Sequence, residues 1–174
     1  MAVGPFKTLF SSLLLLCVAP VLCGSLGLTS NMETRILFAH NAARAKMGVP
    51  PLSWDPNLVT SAQQWADHLA AKQLFEHAPE RLLGDEGENL WAGTSGYFPV
   101  DAMVDAWVRE KRSFKPGLFP DNSVTGKVAD VGHYTQLMWR RSRHVGCAIA
   151  KGAEEDVLVC RYSEAGNYIG ETPF

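Results

Sequence analysis

Between residue 32 and about residue 46 the positions Ile36, Ala39, Ala43 and Met47 recur every three or four residues, with His40 on the same stripe. That period predicts an amphipathic helix, which Gly48-Val49-Pro50-Pro51 ends. Asp55-Pro56 predicts a second helix start: an acid to accept a free terminal amide, then a proline whose φ is already helical. Behind it Leu58, Ala62, Trp65, Leu69 and Lys72 fall on one face. Residues 79–96 are dense in glycine and acids and show no period, so they read as irregular. Residues 100–111 predict a third helix, with Val104, Trp107 and Val108 inward. Residues 114–132 hold Pro116, Gly117, Pro120 and Gly126, a connection long enough to be functional or wrapped over the surface. A short helix is expected over residues 133–139.

Two β-rich runs follow, residues 145–150 and 157–162, joined by the polar residues 151–156. Pairing Ala150 with Val157 as a hairpin sets Cys147 directly opposite Cys160. Facing residues of an antiparallel pair lie about 4.5–5.5 Å apart at Cα, within disulfide reach. The pair therefore reads as a structural disulfide, closing a loop of about 14 residues for roughly 3 kcal/mol on the chain-entropy picture.

The extreme N-terminus differs from the rest. Lys7 precedes an uncharged run, residues 9–23, that includes four consecutive leucines and ends among Val21, Cys23 and Gly24. A short basic start, an apolar middle and a small-residue exit predict a secretory signal peptide over residues 1–24, the alternative being an uncleaved anchor. The run is shorter than the ~20 residues that span a bilayer, so no transmembrane segment is expected after cleavage. What remains is residues 25–174, one domain with a real core, expected to be a monomer. Of the four cysteines, Cys147 and Cys160 stay with it, bound for an oxidising compartment: the extracellular space, or the periplasm in a bacterium.

The chain has 174 residues, 47% of them hydrophobic, and a net charge of −2. A basic surplus is missing, which argues against nucleic-acid binding. The cluster Arg140-Arg141-Ser142-Arg143-His144 is a local exception, read either as a solvated face or as a contact for anionic lipid or a partner. His40 and Arg44 lie one turn apart on the first helix and are expected to pack or hydrogen-bond there, and His68 to edge the second helix. Neither HExxH, GxSxG, a P-loop nor GxGxxG occurs, so the helical zinc-protease and nucleotide readings fail. What is left is imidazole and carboxylate at element ends and in loops: His77, the Glu86-Gly87-Glu88 stretch, Glu110 and His133. Spacing alone does not bring them together.

Several motifs occur in order. Gly132-His133-Tyr134-Thr135-Gln136-Leu137-Met138-Trp139 and Cys160-Arg161-Tyr162-Ser163-Glu164-Ala165-Gly166-Asn167-Tyr168 resemble the two signatures of the CAP superfamily of cysteine-rich secretory, antigen 5 and pathogenesis-related proteins. His40-Asn41-Ala42-Ala43-Arg44, Leu52-Ser53-Trp54-Asp55, Gly87-Glu88-Asn89-Leu90 and Trp107-Val108-Arg109-Glu110 are similar to further motifs of that family. Glu164-Ala165 departs from a pattern that often has proline, altering a turn and no candidate ligand. The resemblance implies an α+β fold, a three-layer α-β-α sandwich with a central antiparallel sheet. It implies that His77, Glu88, Glu110 and His133 converge in a cleft where the histidines hold a divalent metal such as zinc. Two function classes follow. One is a secreted binding and effector module for a lipid, sterol, peptide or protein partner, with Trp91, Tyr97 and Gln136 as candidate contacts. The other is a metal-dependent hydrolase in which Glu88 or Glu110 acts as base.

Overall fold

Alternation along two neighbouring strands sets the architecture. In β3 (His144–Lys151) and β4 (Glu155–Ser163), Val145, Cys147, Leu158, Cys160 and Tyr162 pack into one apolar cluster and Ala148, Ala150, Val157 and Val159 into another. A strand with both faces apolar is a strand covered on both sides. The computed structural model describes residues 26–174, with side chains from residue 32 onward; the expected signal peptide lies outside the described residues. One layer holds α1 (Leu26–Ala45), α4 (Val100–Arg109) and α5 (Gly132–Met138). The opposite layer is α2 (Pro56–Lys72), followed by the single-turn α3 (Glu80–Leu83). The sheet runs β1-β3-β4-β2, with β1 Ser53–Trp54 and β2 Gly87–Thr94 at its edges. This is an α-β-α sandwich; its sheet is antiparallel except for the two-residue β1, which runs parallel to β3.

The hairpin register is the one expected. Ala150 faces Val157, Cys147 faces Cys160, and the two sulfurs are joined. Pairing continues one step further, Lys151 against Asp156, so the connection is shorter than six residues. Asp156 is held there by Ser95 Oγ at 2.7 Å and the Gly96 amide at 2.8 Å.

The N-terminal half of α2 lies against the sheet at Gly146. A Cβ at that position would come within 2.5 Å of Val59 N and 2.6 Å of Asp55 O, so only glycine lets the helix seat. Asp55 caps the helix as expected, accepting from Asn57 N at 2.8 Å. Leu58, Ala62, Trp65, Ala66 and Leu69 are buried, whereas Lys72, placed on the same stripe, is exposed: a terminal ammonium on the last turn reaches water.

Two expectations need correction. Residues 79–96 are not irregular throughout, since α3 and the eight-residue β2 lie within them. The strand was hidden because Glu88 stands on its α2-facing side among Leu90 and Ala92, and glycines at 87 and 93 interrupt the alternation. The first helix starts at Leu26 rather than residue 32, because Thr29-Ser30-Asn31 break the apolar spacing without breaking the helix.

Candidate functional site

β2 is an edge strand, and the site lies across its N-terminal end. His77 arrives on the α2 side, in the segment between α2 and α3. His133 arrives on the other side, in the first turn of α5. Both line a cavity of about 280 Å³ together with Glu88, Asn89, Val128, Ala129, Gly132 and Asn167. Val128 and Ala129 come from the long connection, which thus forms one wall.

Each imidazole is gripped by one carboxylate. His77 Nδ1 lies 2.7 Å from Glu88 Oε1, and His133 Nδ1 lies 2.6 Å from Glu110 Oε1. Glu110 follows the last turn of α4, and its other oxygen accepts from the His133 and Tyr134 amides at 3.0 Å each. It therefore caps α5 while aiming the ring of the residue it caps. The His133 ring stacks on Trp107, centroids 6.0 Å apart and planes 16° from parallel.

Glu88 is almost fully buried, and its register partner across the sheet explains how. Arg161 faces it on β4, its side chain 1% exposed, with Nε 3.0 Å from Glu88 Oε2. This is an ion contact rather than an aligned hydrogen bond. Arg161 Nη1 also reaches Glu86 at 3.2 Å, and Glu86 accepts from Ser61 Oγ at 2.9 Å. Glu88 Oε1 accepts the Ala78 amide as well, at 3.0 Å.

On the far side of the sheet Asn89 donates to the His133 carbonyl at 3.0 Å and to Tyr162 Oη at 3.1 Å. The Tyr162 hydroxyl continues to His40 Nε2 at 2.9 Å, and His40 Nδ1 meets the Ile36 carbonyl at 2.8 Å. Burial lowers the His40 pKa to about 4 and raises that of Tyr162. His40 is thus the packed, hydrogen-bonded residue that its helix face predicted. Asn167, at φ 59°, fastens the start of α5 through Thr135 Oγ1 at 2.6 Å and the Gly132 carbonyl at 2.9 Å.

Of the four residues singled out by the resemblance, His77, Glu88 and His133 line one hollow, and Glu110 stands behind His133 outside that lining. Trp91 and Tyr97 do not line it. They pack edge-on against Phe98 before α4, with Tyr97 75% exposed. Gln136 is buried beneath the site: its Oε1 accepts from Gly166 N at 2.8 Å, and its side chain fills the space left by the absent Cβ atoms of Gly87 and Gly166. His68 lies on the outer face of α2, stacked on Trp65 at 4.8 Å. Sequence reasoning passed over Asn89, Asn167 and Arg161. All three lie inside quoted motifs, and an arginine in the apolar alternation of β4 was the signal that an acid waits opposite.

The donor chemistry suits a cation in part. An imidazole whose Nδ1–H is held by a carboxylate presents Nε2 as a free, strengthened lone pair. Among the described residues, however, no group of three or more His, Cys, Asp or Glu is placed to hold a metal ion. The hollow therefore offers at most two imidazole donors on its lining, short of a full protein cage for a metal.

The CAP family profile, described as the cysteine-rich secretory protein family, matches residues 37–162. This chain belongs to that family. It is 36% identical over 171 residues to pathogenesis-related protein 1A of Nicotiana tabacum, covering 98% of this chain and 95% of that one. It is 34% identical to a pathogenesis-related protein of PR-1 type from Sambucus nigra, covering 94% of each. Among solved structures, NaASP2 with Zn²⁺ superposes with a TM-score of 0.72 at 19% identity, covering 87% of this chain and 89% of that one. MpPR-1i superposes with a TM-score of 0.51 at 19% identity, covering 78% and 89%. At these identities the solved structures speak for the fold.

A second concavity lies between α1 and α4. It has a volume of about 490 Å³ and is lined by Phe38, Ala39, Ala42, Ala43 and Val108, with the Arg35–Asp101 ion pair and Lys46 at its margin.

Proposed function

We propose that the chain is an extracellular, monomeric binding and effector module. His77 and His133 would be the residues to hold a divalent ion, zinc first among candidates, and a ligand of lipid class would occupy the apolar groove between α1 and α4. The observation that carries the binding reading is how the two carboxylates are used up. Glu88 Oε1 is spent on His77 and the Ala78 amide while its Oε2 is buried against Arg161 away from water, and Glu110 is spent on His133 and two α5 amides. A general base needs an oxygen free to take a proton from water. Both acids instead serve as positioning residues for the rings. When bound, the ion supplies a Lewis-acidic centre with exchangeable water positions.

The secretory leader read in the sequence and the plant origin of the relatives support an extracellular location over a periplasmic one. No described helix is long and apolar enough to cross a membrane. The groove's apolar lining suits an acyl chain, while its marginal charges balance, Arg35 being paired with Asp101 and Lys46 offset by Asp105.

Two variants separate the sites. Ala39→Trp fills the groove and is expected to abolish displacement of a fluorescent fatty acid while zinc titration stays as in the wild type. His77→Ala with His133→Ala is expected to do the reverse. Peptidase activity in the wild type that chelators remove and zinc restores, lost in the histidine double variant, overturns the binding reading in favour of the hydrolase.

A further inference from the structure

Residues 139–143, after α5, carry Arg140, Arg141 and Arg143, all exposed. They fold around a fourth arginine. The buried Arg44 guanidinium donates to the carbonyls of Pro50, Leu137, Trp139 and Ser142 at 2.7–3.0 Å, and no described carboxylate pairs with it. Its hydrogen bonds are satisfied and its charge is not. Burial, aided by the neighbouring Arg143 and Arg140 charges, lowers its pKa to about 10. Arg141 pairs with Glu171 at 2.7 Å and lies 5.5 Å from the centre of the Tyr168 ring. Among the described residues, the Arg140 and Arg143 side chains have no ion-pair partner.

Beside these cations stands an apolar turn. The Glu171 amide closes back on the Tyr168 carbonyl at 3.2 Å, which puts Ile169 at the tip, 83% exposed. Two backbone hydrogen bonds of 2.8 Å tie this turn to Phe119 and bring the exposed Leu118 into the same neighbourhood. A solvated face accounts for the arginines and leaves Ile169 and Leu118 without a reason to be presented beside them. A soluble polyanion likewise engages only the charges. An anionic bilayer surface takes both, phosphates and carboxylates at the guanidinium groups and apolar tips at the acyl boundary.

We propose that residues 140–143 and the 168–171 turn together form a docking surface for anionic phospholipid bilayers. It shares no lining residue with the histidine cleft or the α1–α4 groove, and it stands or falls separately from both.

The test is co-sedimentation of the full chain with phosphatidylcholine vesicles, with and without phosphatidylserine, at low and high salt. Binding is expected only with phosphatidylserine and is expected to fall as salt rises. Arg140→Gln with Arg143→Gln should lower partitioning about thirtyfold, at roughly fivefold per charge near such a surface. Ile169→Ser should weaken vesicle binding several-fold and leave retention on heparin unchanged. Thermal unfolding of both variants should match the wild type, since none of these side chains holds the fold. Absence of binding to phosphatidylserine vesicles at low salt overturns the proposal, as does full binding by the arginine double variant. Heparin retention that tracks the arginines, with vesicle binding indifferent to Ile169, overturns it in favour of a soluble polyanion site.

Discussion

His40 shows how far one buried side chain ties stability to pH. Its Nδ1 faces a carbonyl and must donate, so Nε2 accepts from the Tyr162 hydroxyl, which in turn accepts from Asn89. A proton on Nε2 would set two donors face to face in a dry site, close to the Arg44 charge. The folded pKa is about 4 against an ordinary 6.5. Between those values the unfolded chain takes up a proton that the folded chain refuses. Stability from this group is therefore complete above 6.5, falls with pH, and levels off near 4, a loss of about 3 kcal/mol. Urea unfolding across that range should show this slope, and His40→Gln, less stable at neutral pH, should show a shallower one. An equal slope in the variant assigns the effect to other groups. Arg44 makes a second residue-scale prediction. Arg44→Met removes the side-chain donor from four carbonyls, of which only that of Trp139 keeps another, the Ser142 amide, and should cost about 3–5 kcal/mol. Arg44→Lys should recover little, because a point ammonium does not span the fork of acceptors. Equilibrium unfolding of both variants measures it.

At the scale of elements, the seating of α2 on the sheet depends on position 146. Gly146→Ala puts a methyl into the backbone of residues 55–59, and backbone does not step aside as a side-chain tip does. A cost of about 2–3 kcal/mol is expected, read as a lowered urea midpoint with an unchanged slope. A midpoint like that of the wild type would show that the helix docks more loosely. The same elements show what could be read from the chain beforehand. α2 announced itself because its cap, its proline and its stripe agree, each being a local property. The hairpin did so because alternation fixes register, and register fixed the Cys147–Cys160 bond. β2 did not. An edge strand with a buried acid has no local signature, and Glu88 is tolerable only because Arg161 faces it from a distant strand. The meeting of His77 with His133 was legible for the same reason only through resemblance: no periodicity relates the end of one layer to the start of a helix in the other.

For the whole molecule, the cleft exists because the two helical layers overhang the N-terminal end of β2, each contributing one carboxylate-held imidazole. Glu88 on the sheet orients one ring, and Glu110 with Trp107 in the opposite helical layer orients the other. If one ion bridges them, the histidines act as a unit. Removing either ring leaves a single imidazole, too weak a donor set to keep the ion, so each single substitution should lose nearly all zinc affinity. The double variant should then lose little more, a strongly non-additive cycle by calorimetric titration. Independent surface sites predict the opposite, two modest losses that add. The supporting acids refine the test. Glu110→Gln and Glu88→Gln should each weaken zinc about 10–100-fold by loosening ring orientation. Only Glu88→Gln should also cost several kcal/mol of stability, because it strips the buried Arg161 of its nearer partner. Additive histidine losses, or zinc binding indifferent to both acids, would mean that the pairs fasten the layers together and hold no common ion.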